Sequence, residues 1–151
     1  MSLKSIVEYR QHMEEIAREE LAAITRELAG QMDAITRLEQ KLGRVLGEIA
    51  GGAQGLPADE AVALYRLAEA LSSDIATARR LADALRTQKE AKLAVLLAAA
   101  RECKIVEKLD ARRAQERERV AERREQQVSD EVSLRRWRQL AATARPGNRG
   151  A

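Results

Sequence analysis

The sequence contains very few of the residues that build globular cores and catalytic centres. Of 151 residues only Tyr9, Tyr65 and Trp137 are aromatic, and Phe is absent. The lone Cys103 excludes an intrachain disulfide. The lone His12 has no second His or Cys nearby, so we do not expect it to bind a metal or act as a base. These absences argue against a compact globular domain and against chemistry based on His or Cys.

Long apolar runs and nucleotide-binding loops are also missing. The longest uncharged run in the second half, residues 93–100, is far short of the roughly 20 residues that span a bilayer. The first residues lack the apolar core of a signal peptide. The glycine-rich stretch "GGAQGLP", residues 51–57, lacks the Gly-Lys-Ser/Thr ending of a phosphate-binding loop. We therefore expect a cytoplasmic protein that is not an enzyme and that has no catalytic residue, cofactor, metal or small-molecule substrate.

Ala, Leu, Glu and Arg dominate the chain, and 34% of its residues are charged, a composition typical of long helices and coiled coils. The only prolines, Pro57 and Pro146, divide it into periodic segments. We predict helix 1 at about 3–50, a turn at 51–57 and helix 2 at about 58–144, with Asp59 as a possible cap of helix 2. Residues 1–144 would form one hairpin domain, and residues 145–151 would be a disordered tail.

Both predicted helices carry apolar residues at alternating spacings of three and four, the pattern of a heptad seam. In helix 1 the seam comprises Leu21, Ile24, Leu28, Gln31, Ile35, Leu38, Leu42, Val45 and Ile49. In helix 2 it comprises Ala68, Leu71, Ile75, Ala78, Ala82, Leu85, Lys89, Lys92, Leu96, Ala99, Cys103 and Val106. We expect the two lysines to keep their stems at the seam and their ammonium groups in water. Leu64, Leu67, Leu81 and Leu93 would widen the second stripe.

A short turn between two helices makes them antiparallel neighbours. With the fold near residue 54, residue i should lie roughly opposite residue 108−i. The stripe of helix 2 then fades after Leu109, where helix 1 has run out. The expected fold class is all-α: a long antiparallel two-helix coiled-coil hairpin in which the second helix extends beyond the first.

The extending part of helix 2 is highly charged, as in "KLDARRAQERERVAERREQQ", residues 108–127. Intrahelical pairs such as Arg112–Glu116, Arg113–Glu116 and Arg119–Glu122 would support this helix weakly, so we expect a partner in trans. Residues 132–151 contain five Arg and no acid. Together with "LRRWRQL", residues 134–140, this tail could bind nucleic acid. We prefer a protein partner, because the rest of the chain is slightly acidic.

These residues resemble the FliJ family, the coiled-coil component of the bacterial flagellar type III export ATPase complex. The resemblance extends over the full length and is clearest in residues 106–137. The family pattern there is similar to "KLxxRR", then "ExREQ", then Asp-Glu, then Arg with an aromatic residue. The matching residues are Lys108, Leu109, Arg112, Arg113, Glu122, Arg124, Glu125, Gln126, Asp130, Glu131, Arg135, Arg136 and Trp137.

The resemblance implies a stalk that inserts into the hexameric flagellar export ATPase, contacts the cytoplasmic domain of the export gate, and binds export chaperones. Its location would be cytoplasmic, peripherally associated with the inner membrane at the flagellar base. We predict that the ATPase-ring contact comprises Lys108, Arg112, Arg113, Arg123, Arg124, Asp130, Glu131, Arg135, Arg136 and Trp137. We predict that the export-gate contact comprises Leu42, Val45, Leu64, Tyr65, Leu67 and Leu71.

Three alternatives stay open at the level of sequence. The first is the equivalent stalk of a virulence type III secretion system. The second is a structural coiled-coil adaptor unrelated to secretion, and the third is a nucleic-acid-binding helical hairpin.

Overall fold

The computed structural model describes residues 2–52 and 54–144, and all regular structure in these residues is α-helical. Helix α1 comprises Leu3–Gly51 and helix α2 comprises Ala58–Ala144. The predicted all-α fold of two long helices is confirmed. The predicted tail, residues 145–151, lies outside the described residues.

The chain divides into two compact units. Unit 1 consists of Met1–Val7 and Lys104–Ala151, of which residues 2–7 and 104–144 are described. Unit 2 is Glu8–Cys103. Whether residues 1–144 behave as a single domain in solution stays a prediction.

In unit 2 the two helices pack antiparallel along the predicted seam. Every seam residue named above between 21 and 103 is buried or half-buried. The most buried are Ala82, Cys103, Leu85, Ile35 and Ile75, all at most 5% exposed. Cys103 is a small buried residue, as expected from its place in the stripe.

The leucines expected to widen the α2 stripe lie largely outside the seam. Leu67, Leu81 and Leu93 are 47%, 51% and 44% exposed, whereas Leu64 is half-buried. A two-helix interface covers little beyond its central stripe, so residues one position to either side stay accessible to water. The expectation of a wider stripe was therefore wrong at these three positions.

Contacts across the seam of unit 2 define its register. The Gln31 side chain donates a hydrogen bond to the Ala78 carbonyl, one residue from the expected partner position. Lys92 Nζ lies 2.9 Å from Glu20 Oε2, and Arg10 forms an ion pair with Glu102. These longer side chains reach about one helical turn further along the partner helix. The Lys92 contact also confirms that this seam lysine keeps its charged end at the surface.

The connection between the helices is closed by backbone hydrogen bonds around Gly52. Its N–H donates to the Glu48 carbonyl at 2.9 Å, and its own carbonyl accepts from Gly55 at 3.1 Å and Leu56 at 3.0 Å. A Cβ on residue 52 would lie 2.2 Å from Leu56 Cδ1. Glycine at this position therefore lets Leu56 fold back against the end of α1.

Helix α2 begins without the predicted Asp59 cap. The Pro57 carbonyl accepts the first helical hydrogen bond, from the Ala61 N–H at 3.0 Å, so Pro57 is the residue that precedes the helix. Asp59 and Glu60 lie inside the first turn. There a carboxylate favours the helix through the positive end of the helix dipole rather than by capping an N–H.

Candidate protein-interaction surfaces

The charged segment, residues 108–137, is continuous helix, and every residue from 111 to 137 is exposed. All ten predicted ring-contact residues lie on this exposed helix. The segment contains nine Lys or Arg and seven Asp or Glu, so both signs alternate around it. Trp137 is 66% exposed. A helix of this kind offers many weak polar contacts and no single apolar face.

The three intrahelical ion pairs expected in this segment do not form within 4 Å, and that prediction was wrong. The side chains instead extend into solvent or make other weak contacts. Gln126 Nε2 donates to Asp130 Oδ1 at 3.0 Å, and Arg117 Nε approaches the Arg113 carbonyl at 3.4 Å. Exposed pairs contribute only about 0–1 kcal/mol, so solvation competes with them readily. The Arg112, Arg113 and Arg119 guanidinium groups therefore form no ion pair with the Glu residues expected to hold them.

Unit 1 also contains a groove that the sequence did not reveal. The first residues of α1, Leu3 and Lys4, form one side of it, and α2 forms the other side from Asp110 to Arg124. Its volume is about 1000 Å³. Arg113 and Arg124 line it together with Lys4 and Arg117, so two predicted ring-contact residues share one surface with the start of α1. Only packing of the two helices could reveal this, because these residues are more than 100 positions apart.

The predicted export-gate residues fall into two groups in unit 2. Val45 and Leu71 are buried and form a core cluster with Ala68, against which Leu42 and Leu64 pack. Tyr65 and Leu67 are 59% and 47% exposed. A partner can reach Tyr65 and Leu67 directly, whereas it would reach Val45 or Leu71 only by opening the seam.

Two grooves flank the turn in unit 2, and Leu56 lines both. The first, about 410 Å³, is lined by Tyr65 together with Ile49, Ala50, Gly52, Leu56 and Ala61. The second, about 580 Å³, is lined mainly by apolar atoms, from Gly51, Leu56, Ala63, Leu64 and Leu67, with Glu48 and Glu60 at its edge. We call this second groove the turn groove. Leu46 and Val62, each 50% exposed, are further apolar residues near the turn, and their spacing alone did not mark them as surface residues.

Within the part of the chain that the structure describes, no group of three or more His, Cys, Asp or Glu side chains could hold a metal ion. His12 is exposed. No described helix contains a stretch long and apolar enough to cross a membrane.

Comparison with known proteins decides the family. A family model with the description "Flagellar FliJ protein" matches residues 1–141 of the 151-residue chain. The chain belongs to the FliJ family. The match includes both helices up to residue 141 and all predicted contact residues, so the FliJ resemblance seen in the sequence is confirmed. Family membership assigns the chain a role in flagellar protein export, in partnership with other export components.

Searches of curated proteins and of solved structures returned no match.

Proposed function

We propose that this member of the FliJ family is a non-catalytic stalk of the flagellar type III export apparatus. In this proposal the charged segment inserts into the hexameric export ATPase, and the surface near the turn contacts the cytoplasmic domain of the export gate. The protein would be cytoplasmic and peripherally associated with the inner membrane at the flagellar base. It would also bind export chaperones.

The observation that carries the ring contact is the exposure of the charged segment. Twenty-seven consecutive residues, 111–137, are helical and exposed. Most of the stability of a protein helix comes from packing rather than from helix propensity, so we expect a partner to pack against this segment. A helix of mixed charge can make weak, screened contacts with several similar subunits of a ring. A helix with one apolar stripe would instead be held by a single subunit. The groove at Lys4, Arg113 and Arg124 adds a basic surface from the start of α1 to the same contact.

The gate contact is supported by the apolar residues around the turn. Tyr65 and Leu67 line two different grooves, and Leu56 lines both of them. The exposed apolar side chains near the turn therefore belong to two adjoining concave surfaces. Exposed apolar surface of this kind is typical of protein-interaction sites. We retain Tyr65 and Leu67 as the accessible part of the proposed contact, with Leu42, Val45, Leu64 and Leu71 supporting it from below.

Among the alternatives, a flagellar stalk is favoured over a virulence stalk because the matching family is described as flagellar. The base-rich residues 132–151 carry a net charge of +5 and the whole chain carries +3, so the remaining residues sum to −2. Nucleic-acid binding is disfavoured because this acidic part would repel the phosphate backbone that dominates such binding.

The direct test is ATP hydrolysis by the purified hexameric export ATPase with and without the full-length chain. We expect the chain to co-purify with the ring and to increase its rate of hydrolysis. Absence of both effects at concentrations where the ring is assembled would refute the stalk function.

A further inference from the structure

We infer that the turn groove binds a basic amphipathic segment of its partner, with an apolar side chain inside the groove and Lys or Arg side chains beside Glu48 and Glu60. This inference rests on the proposed gate contact and specifies the chemistry of the segment that makes it.

The apolar part of the groove has a fixed floor. Leu64 lines the groove and also packs against the core cluster of Val45, Ala68 and Leu71. Leu56 is held by the turn, where its N–H donates to the Gly52 carbonyl at 3.0 Å. Because the seam and the turn hold both leucines in place, a partner side chain meets a largely pre-formed surface. Pre-formed grooves of this type bind apolar side chains at low cost in ordering.

The edge of the groove is acidic on both helices. Glu48 of α1 and Glu60 of α2 line it, and neither carboxylate makes an ion pair or side-chain hydrogen bond with another described residue. Arg44 precedes Glu48 by four positions but forms no ion pair with it. Between Arg44 and Arg66 the sequence contains three acids and no base. The turn region therefore has uncompensated negative charge next to an apolar groove.

A carboxylate stabilises its own helix at the position of Glu60 but not at the position of Glu48. Glu60 lies in the first turn of α2, where a carboxylate stabilises the helix. Glu48 lies in the last turn of α1, which ends at Gly51 and contains no basic residue. A negative charge there faces the negative end of the helix dipole and opposes helix formation. A cationic group on a partner would offset this unfavourable placement, and Glu60, which lines the same groove, offers a second carboxylate to such a partner.

The negative charge of Glu48 and Glu60 favours some possible occupants of the turn groove over others. It repels an anionic membrane surface and attracts a segment rich in Lys or Arg. The same charge disfavours a second copy of this chain docking turn to turn, because identical acidic edges would meet. A basic amphipathic protein segment satisfies both the apolar groove and its two carboxylates.

The test compares folding stability with partner binding in the same variants. Full-length chains are titrated calorimetrically with the purified cytoplasmic domain of the export gate, and their thermal unfolding is followed by circular dichroism. Glu48→Lys should raise Tm by roughly 1–4 °C, because it places a favourable charge at the α1 terminus. The same change should weaken gate binding, and Glu48→Lys with Glu60→Lys should weaken it about tenfold or more.

Matched variants separate the groove from general charge effects. Glu27→Lys changes an exposed acid in the middle of α1 that forms no ion pair with another described residue, and it should leave binding within about twofold. Leu56→Ala, which removes the side chain shared by both grooves, should weaken binding without reversing any charge.

The outcomes distinguish the two proposals. If the wild-type chain does not bind the gate domain, the gate contact fails and this inference fails with it. If the wild type binds and the Glu48 and Glu60 variants bind equally well, the gate contact stands and the basic partner segment is refuted. Self-association of the wild type in sedimentation, lost in the double variant, would identify a second copy as the occupant and would also overturn the inference.

Discussion

The side-chain amide of Gln31 on α1 donates a hydrogen bond to the backbone carbonyl of Ala78 on α2, with 3.1 Å between Nε2 and the oxygen. Gln31 occupies a seam position where an apolar residue would be expected, and it is half-buried. A polar group in such a seam favours the one alignment of the helices in which its hydrogen bond forms. This hydrogen bond therefore contributes to the register of unit 2, together with the ion pairs that Lys92 and Arg10 form across the seam.

Replacing Gln31 should reveal this contribution. Gln31→Ala removes the hydrogen bond and part of the seam packing, so the free energy of unfolding should fall by about 0.5–1.5 kcal/mol. Gln40→Ala changes an exposed glutamine on the same helix and should have an effect within about 0.5 kcal/mol. Urea unfolding followed by circular dichroism compares the two. Equal effects would show that Gln31 contributes no more than a surface residue.

Replacing two glycines inside α1 by alanine should make the protein more stable. A Cβ on Gly43 or Gly47 would meet nothing within 4 Å, so alanine fits at both positions. Because alanine is favoured over glycine in a helix by about 0.8–1 kcal/mol, Gly43→Ala with Gly47→Ala should raise Tm by several degrees.

Gly52→Ala is the matched control for this gain. Its Cβ would approach Leu56 Cδ1 to 2.2 Å and the Glu48 carbonyl oxygen to 3.1 Å. We therefore expect no increase in Tm, and a decrease if Leu56 cannot move. A gain as large as that of the Gly43 and Gly47 variant would contradict the close packing at the turn.

The sequence predicted the fold because one turn signal and two heptad stripes describe the same hairpin. Residues such as Ile35, Leu71 and Ala82 could be assigned to the seam from spacing alone, and all three are buried. The surfaces were harder to predict, because the sequence does not distinguish a seam residue from its apolar neighbour. Val45 and Tyr65 were placed in one predicted contact, although packing buries the first and exposes the second.

The grooves could not be predicted because they depend on residues distant in sequence. Lys4 and Arg113 share a surface only because the start of α1 packs beside α2 within unit 1. Glu48 and Glu60 line one groove because the turn brings the end of α1 beside the start of α2, with Leu56 packed close to Gly52. Their local sequences contain no motif that marks either arrangement.

The exposed apolar residues near the turn give a test of the proposed gate contact. Tyr65→Ala with Leu67→Ala removes two side chains that are about half exposed, so the hairpin should stay folded. Binding to the cytoplasmic domain of the export gate should weaken by more than tenfold, as expected when apolar anchors are truncated. Leu81→Ala with Leu93→Ala removes similarly exposed leucines elsewhere on α2 and serves as the control. Unchanged binding by the Tyr65 and Leu67 variant would exclude this surface.

The proposed ring contact should be distributed and sensitive to salt. Arg113→Ala removes one of nine basic groups in the charged segment, so stimulation of the export ATPase should fall less than about fivefold. Stimulation should also decrease steadily as salt rises from 0.05 to 0.5 M, because screening shortens the range of exposed charges to well below about 10 Å. The basal rate of the ring at each salt concentration is the reference. Complete loss of stimulation from Arg113→Ala alone would indicate one dominant contact instead.

A set of charge reversals tests whether the charged segment activates the ATPase ring through its arginines. Arg112, Arg113, Arg123 and Arg124 are all changed to Glu in the full-length chain. The control changes four exposed arginines of unit 2 to Glu, namely Arg26, Arg37, Arg80 and Arg101, and therefore alters the net charge by the same amount. Circular dichroism verifies that both variants are as helical as the wild type.

The measurement is the rate of ATP hydrolysis by the purified export ATPase over a range of chain concentrations. The variant in the charged segment should leave the ring at its basal rate, while the unit 2 variant should stimulate it as the wild type does. Full stimulation by the variant in the charged segment would show that these arginines do not activate the ring.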